Sequence, residues 1–246
     1  MTKERIDKLL VKQGHAESRT KAQALVMSGV VLVDEKRVEK PSETFEENQH
    51  IRLKGDMPEA RYASRAGLKL EKALSEFNIR PYGYVCLDIG ASTGGFTDCL
   101  LAHGAKKVFA VDSGTNQMIW RLRNDKRVVL MENTNARHLS REAIDEPVDL
   151  ISVDVSFVSA RLVVEPALKF LKRGGSVVLL IKPQFEVGRG DVGKGGIVKD
   201  PEKRKRVVEE MTEFLDNIGL RSRGVIESPI RGAAGNIEYL IALEMI

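Results

Sequence analysis

Apolar residues recur at helical spacing near the start of the chain. Ile6, Leu9 and Leu10 form one face and Gln13-Gly14 a stop, predicting a helix over about 4–13 with Thr2 as its cap. Ser18 caps a second predicted helix that carries Ala22, Leu25 and Val26 on one side and ends at Gly29. Val30–Val33 then reads as a strand, followed by a short strand around Arg37-Val38 and another at His50–Leu53. Two helices and a small sheet make a unit of α+β type, and Lys54–Glu59 reads as a linker. From Ser64 the period switches between helix and strand. Helices are predicted at 64–77, 95–103, 115–123, 159–172 (perturbed by Pro166) and 200–218. Strands are predicted at 84–89, 107–112, 127–131, 149–154, 176–182, 221–228 and 236–244. Such alternation implies an α/β domain with a mostly parallel sheet and an antiparallel last strand. The chain is read as a small domain over 1–58, a linker over 59–64 and a large domain over 65–246.

Composition narrows the class. With 246 residues and 42% hydrophobic positions, the chain can bury an ordinary core. No apolar run has the length of a signal peptide or membrane span, so a cytoplasmic location and no membrane partner are expected. Cys86 and Cys99 sit on apolar faces and read as buried thiols. The four histidines show no metal-ligand spacing, so no metal is expected. The net charge of +4 is unevenly spread: residues 3–24 and the stretch from Lys169 to Arg206 are basic, whereas 34–59 is acidic. Two basic stretches lean toward an acidic partner.

The segment Val85-Cys-Leu-Asp-Ile-Gly-Ala-Ser-Thr-Gly-Gly-Phe96 is a buried strand that enters a glycine-rich turn and then a helix, the setting in which backbone approaches a ligand closely. Val108–Asp112 is a second strand that ends in an acid about twenty residues further on, where a carboxylate can accept ribose hydroxyls. The spacing Gly90-x-x-x-Gly94-Gly95 departs from the nicotinamide-binding pattern. Asp88 would repel a pyrophosphate yet suit a cationic aminoacyl group, which favours S-adenosylmethionine over a dinucleotide. Expected cofactor-binding residues are therefore Asp88, Gly90, Ala91, Ser92, Gly94, Gly95, Phe96 and Asp112.

Three blocks in order, Leu87-Asp-Ile-Gly-Ala-Ser-Thr-Gly-Gly-Phe-Thr97, Asp154-Val-Ser-Phe-Val158 and Ile181-Lys-Pro-Gln-Phe-Glu186, resemble the TlyA family of ribosomal RNA 2′-O-methyltransferases, also called haemolysins. Arg5–Leu10, Glu17–Ala22 and Gly29–Val33, with Lys40-Pro41-Ser42, are similar to an S4-type RNA-binding domain. The large domain also resembles FtsJ-like methyltransferases, which implies a Rossmann-like sheet binding S-adenosylmethionine and a catalytic Lys-Asp-Lys-Glu set. At the matching motifs stand Lys69, Asp154, Lys182 and Glu238. Asp154 is also expected beside the cofactor, and Asn135 at the adenine edge.

A ribose hydroxyl is a poor nucleophile, so methyl transfer requires removal of its proton as it attacks. Lys182 is the expected base. Burial beside Lys69 favours the neutral amine that this requires, and Asp154 and Glu238 orient the amines while opposing that effect. Arg5, Lys8, Arg19, Lys21, Arg65 and Arg189 are the expected RNA contacts, with Arg189 on a glycine-rich loop over 186–196. The resemblance implies ribosomal RNA or a ribosomal subunit as partner, with a cytidine as the modified nucleotide. It leaves the oligomeric state open. Two positions depart from the family pattern: Asp34-Glu-Lys36, which predicts a longer or less regular turn than the usual Asn-Gly or Asp-Gly hairpin, and Ala66, where glycine is common. A non-catalytic RNA-binding protein, a membrane-active haemolysin and a nicotinamide-dependent oxidoreductase are the competing readings. The second lacks a secretion signal or a strongly apolar amphipathic helix.

Overall fold

A computed structural model describes residues 3–16, 18–27, 29–34, 36–47, 49, 51–53, 61–193, 195–232 and 235–246, without the side chains of Arg52 and Arg189. The expected cap Thr2, the linker at 54–60 and Lys194 lie outside the described residues. Contacts divide the chain into two units, Met1–Ala60 and Arg61–Ile246.

In the first unit, β1 (Lys3–Arg5) leads directly into α1 (Ile6–Lys12), and α2 (Arg19–Met27) follows. Ser18 Oγ accepts from Lys21 N at 3.3 Å, as a first-turn cap does. β2 (Val31–Val33) lies between β3 (Lys36–Arg37) and β5 (Ile51–Leu53), and β4 (Thr44–Glu46) pairs antiparallel with β1. Ile6, Leu9, Leu10, Ala22, Val26, Val31, Val33 and Val38 form the core between helices and sheet. The β1–β4 pair escapes the periodicity reading because each strand is three residues long and carries charges. Of the longer or less regular turn expected at 34–36, the first alternative is excluded: Val33 pairs with Lys36, so two residues connect the strands. Asp34 takes φ +48°, a left-handed conformation that Asp tolerates better than most side chains.

The second unit is a seven-stranded sheet. Its strands are β6 (Val85–Ile89), β7 (Lys107–Val111), β8 (Val128–Met131), β9 (Val148–Val153), β10 (Leu171–Ile181), β11 (Leu220–Glu227) and β12 (Tyr239–Met245), in spatial order β11-β12-β10-β9-β6-β7-β8. Only β12 runs against its neighbours. The chain leaves β6 outward through β7 and β8, then returns to build β9 and β10 on the other side. The order thus reverses between β6 and β9, where an open α/β sheet presents its ligand crevice.

Side chains alternate along β6. Val85, Leu87 and Ile89 join one core with Val164 and Ala167 of α6 (Arg161–Ala167) and with Met211 and Leu215 of α8 (Pro201–Asn217). Cys86 faces the other core with Leu70 and Leu74 of α3 (Ala66–Glu76) and Phe96 and Leu100 of α4 (Gly95–Ala102). Both thiols are buried, and burial pushes Cys99 up to about 12 and Cys86 up as well. α8 begins as predicted, with Asp200 Oδ1 accepting from Glu202 N at 2.9 Å and proline at its first position.

Two helices are shorter than their periodicity predicts. The expected helix 115–123 is reduced to α5 (Trp120–Arg123). Asn116 adopts φ +55°, and Ile119 N donates to Thr93 O, so 113–119 folds over the glycine turn instead of coiling. The stretch 159–172 ends in a 3-10 turn at Leu168–Phe170, and β10 starts at Leu171 with a register shift before Ser176. Pro166 cannot donate to the helix ladder, which limits α6 to two turns. A last helix, α7 (Pro183–Glu186), follows β10 directly.

Candidate active site

The turn after β6 is held by packing from below. Asp88 is fully buried, and both its carboxylate oxygens are taken: Thr97 Oγ1 donates to Oδ2 at 2.6 Å and Ser152 Oγ to Oδ1 at 2.8 Å. Burial pushes this carboxyl up from 3.8 to about 6, with the two hydroxyls opposing the shift. Asp88 therefore braces the turn and supplies buried charge, rather than reaching a ligand directly. Gly90, at φ +85°, lies against the backbone carbonyl of Asp154, which a Cβ would overlap. Gly94, at φ +99°, begins α4 against Leu122, and Gly95 packs on Ser64, Ala66 and the backbone of Gly67. These three glycines answer to neighbouring chain segments. Close packing, rather than ligand approach alone, requires them.

Above the turn, Asp112 ties two loops together. Its Oδ2 accepts from Ser92 N at 2.7 Å and its Oδ1 from Gly114 N at 2.7 Å. Ser92, itself at φ +48°, donates through Oγ to Gln117 Oε1 at 3.0 Å. Asn135 Oδ1 accepts from Arg137 N at 3.1 Å and so caps the short 3-10 turn that follows β8. These residues line a cavity of about 640 Å³ at the strand ends, together with Gly90, Asp154 and Ser156. Of the expected cofactor residues, Gly90, Ser92, Asp112, Asn135 and Asp154 stand in its wall. Asp88, Ala91, Gly94, Gly95 and Phe96 lie outside it, in the support of the turn. Ser113, Gly114 and Gln117 also line it; the helix expected over 115–123 concealed Gln117, and Ser113 and Gly114 lie in the turn just before it.

The four expected catalytic residues form two lysine–carboxylate pairs at the end of the sheet. Lys182 follows the last residue of β10, and its Nζ lies 2.6 Å from Asp154 Oδ1 while donating to Ser156 Oγ at 2.7 Å. Lys69, on α3, donates to Glu238 Oε2 at 2.5 Å, and both are buried. Ile181 pairs with Tyr239 in the antiparallel ladder, so Lys182 and Glu238 occupy facing positions one step beyond it. Asp154 N donates to Ile89 O at 2.9 Å, which seats the acid beside Gly90. Each lysine thus has its own carboxylate, with Lys69 bound to Glu238 and Lys182 to Asp154.

Asp154 Oδ1 is buried and, despite its proximity to the ammonium, makes no hydrogen bond of good geometry. An acceptor of this kind at the cavity wall suits a cationic or hydroxyl-bearing ligand. Asp112 and Asp154 both stand in the wall, which also carries Arg137, and two carboxylates there fit the cationic S-adenosylmethionine better than a pyrophosphate. Ser156 was missed at the sequence level, although it lies inside the Asp154-Val-Ser-Phe block. Its loop is anchored by Glu186 of α7, which accepts from Ser159 Oγ at 2.6 Å and Ala160 N at 2.8 Å. A larger groove of about 760 Å³ beside α3, lined by Leu68, Lys72, Arg80 and His103 among others, shares no residue with the turn or the catalytic set.

The expected RNA contacts are less gathered. Lys8, Arg19 and Lys21 are exposed and Arg5 is half-buried, all in the first unit. Arg65 is exposed in the second, and the side chain of Arg189 lies outside the described residues. Arg5 and Arg19 meet on one carboxylate, that of Asp7.

Comparison with known proteins bears on both units. Residues 4–51 match the S4 domain and residues 62–245 match the FtsJ-like methyltransferase family. The 16S/23S rRNA (cytidine-2′-O)-methyltransferase TlyA of Mycobacterium tuberculosis is 44% identical over 239 residues, 97% of this chain and 89% of that protein. Hemolysin A of Brachyspira hyodysenteriae is 44% identical over 237 residues, 96% of this chain and 98% of its own. A solved Streptococcus thermophilus chain that carries a hemolysin name superposes with a TM-score of 0.76 at 45% identity, covering 100% of this chain and 89% of that one. With the glycine turn, the paired lysines and carboxylates and the match over 62–245 in agreement, the chain belongs to the FtsJ-like methyltransferase family.

Proposed function

We propose that this protein transfers a methyl group from S-adenosylmethionine to the 2′-hydroxyl of a cytidine ribose in ribosomal RNA, acting in the cytoplasm on RNA or a ribosomal subunit. One observation carries the reading: at the strand ends Lys182 pairs with Asp154 in the wall of the cavity, and Lys69 pairs with Glu238 just before the adjoining strand β12. The donor supplies an electrophilic methyl on a sulfonium centre. Asp112 accepts its ribose hydroxyls, Asn135 lies at its adenine side, and the turn from Gly90 to Ser92 shapes the floor. Lys182 takes the 2′-hydroxyl proton, with Ser156 and Asp154 fixing where its nitrogen points. Glu238 holds Lys69 so that Lys69 can orient the incoming hydroxyl. The S4 domain supports binding of structured RNA, where basic side chains supply affinity and register through phosphates.

Mapping 2′-O-methylation across both ribosomal RNAs, with and without the protein, tests this. One or a few cytidines should lose the mark when the protein is absent. Unchanged maps, combined with retained RNA binding, would favour a non-catalytic RNA-binding protein. Among the described residues no helix is long and apolar enough to cross a membrane, so nothing there favours the haemolysin reading.

Asp88 gives donor binding a pH dependence. With its carboxyl at about 6, it is neutral in mild acid and ionised at neutrality, and the donor is a cation. Affinity for S-adenosylmethionine should therefore rise between about pH 5 and pH 7.5 in calorimetric titrations, and Asp88→Asn should flatten that rise. Fold stability should move the other way. The folded state holds the proton more tightly than the unfolded chain, so this contribution is complete below about pH 4 and is lost as pH rises through about 6.

A further inference from the structure

Asp7 is the second residue of α1, yet its carboxylate is fully buried. Four donated hydrogen bonds hold it there. Arg5 grips it as a fork, with Nε to Oδ1 at 3.1 Å and Nη2 to Oδ2 at 2.9 Å. Arg19 Nε donates to Oδ2 at 3.0 Å and Gln23 Nε2 to the same oxygen at 2.9 Å. The donors come from two elements, Arg5 from β1 and both Arg19 and Gln23 from the first turns of α2. The Arg5 guanidinium above all, then Gln23 and Arg19, hold the Asp7 carboxyl far below the usual carboxylate range despite its burial.

The arginines are not enclosed with it. Their side chains remain 37% and 52% exposed. A buried acid thus anchors two cations by one side while leaving the other toward solvent. The apolar seam of Ile6, Leu9, Leu10, Ala22 and Val26 already packs α1 on α2, so packing alone does not call for a buried charge between them. We infer that Asp7 is a positioning residue for RNA binding, which fixes the Arg5 and Arg19 guanidiniums at one spacing as a two-pronged phosphate clamp. This rests on the reading of those two arginines as RNA contacts. An exposed arginine samples many rotamers and loses that freedom on binding. Anchoring at Asp7 removes the loss in advance, and a guanidinium held through Nε can still turn its outer edge to a phosphate.

The inference makes a prediction opposite to that of simple charge. Asp7→Asn keeps the shape and raises the net charge of the cluster by one. If charge alone governed binding, the variant would bind RNA more tightly and with a steeper salt dependence. Positioning predicts the reverse. With the full chain, S-adenosylmethionine and ribosomal RNA purified from cells lacking the protein, Asp7→Asn should raise the KM for RNA about 10-fold, in line with two side chains left to be ordered on binding. Its kcat at saturating RNA and its affinity for the methyl donor should be unchanged, a split that general loss of structure would not produce. A KM that stays level or falls overturns the inference. If Arg5→Ala and Arg19→Ala also leave KM unchanged, the RNA-contact reading itself fails and the Asp7 network is structural. If they raise KM while Asp7→Asn does not, only the positioning role is lost. Should circular dichroism show that Asp7→Asn unfolds the first unit, Asp7→Glu keeps the charge and displaces it by one methylene. The same rise in KM is expected from that variant, and an unchanged KM refutes the inference.

Discussion

Lys182→Ala is expected to lower kcat for methyl transfer by roughly 10³-fold, within the range that a positioned general base contributes. Single-turnover transfer of labelled methyl groups to ribosomal RNA measures it. The same variant should bind S-adenosylmethionine at least as well as the parent. Removing the ammonium 2.6 Å from Asp154 leaves the cavity more acidic, and the donor is cationic. Stability should fall modestly, by about 1–3 kcal/mol, because Ser156 loses its hydrogen-bond donor and Asp154 its counter-ion. Lys182→Met, which keeps the aliphatic stem, should recover part of that stability and none of the turnover. Retained turnover in either variant would remove Lys182 from the role of base and move that role to another group.

The second large effect is structural and arises at Gly90. Gly90→Ala forces a Cβ into the carbonyl of Asp154 and requires a left-handed backbone of a residue that avoids it. The obstacle is backbone at the exit of a central strand, so it cannot swing aside as a side chain could. We expect a loss of about 2–5 kcal/mol, combining overpacking with the conformational penalty, and a clear fall in Tm. Gly174→Ala is the matched control. It has φ +72° with open space around the missing Cβ, so it should cost only about 1–2 kcal/mol. Because relief of the overlap must displace Asp154, Gly90→Ala should also weaken donor binding and methyl transfer together. Equal Tm values for the two variants would show that the contact between the strand exits is not rigid.

These two sites show where the linear pattern was informative and where it was not. The glycine turn, the acid at the end of β7 and the ordered lysines and carboxylates are all visible in the chain, because strand ends and turns carry local composition. The reason for each glycine was not visible. Gly90 reads as room for a ligand, yet in the folded chain it is room for Asp154, sixty-four positions later. Likewise 115–123 has helical spacing but forms only one turn at its end, since 113–119 is committed to the wall around Asp112. The β1–β4 pair has no periodic signature at three residues per strand, and it exists because Thr44–Glu46 returns alongside the start of the chain.

By itself the sequence determined two units of different kind, a mostly parallel sheet with one reversed strand, a glycine-rich turn after β6 and the order of the candidate catalytic groups. Periodicity decides which side of an element faces a core, and turn residues decide where the element stops. Only the tertiary structure decided which charges meet: Lys69 with Glu238 across 169 positions, Lys182 with Asp154 and Ser156, and Arg5 with Arg19 through Asp7. Those pairings depend on the spatial order of the strands and the register of β10 against β12, which crossover connections set between segments far apart in the chain.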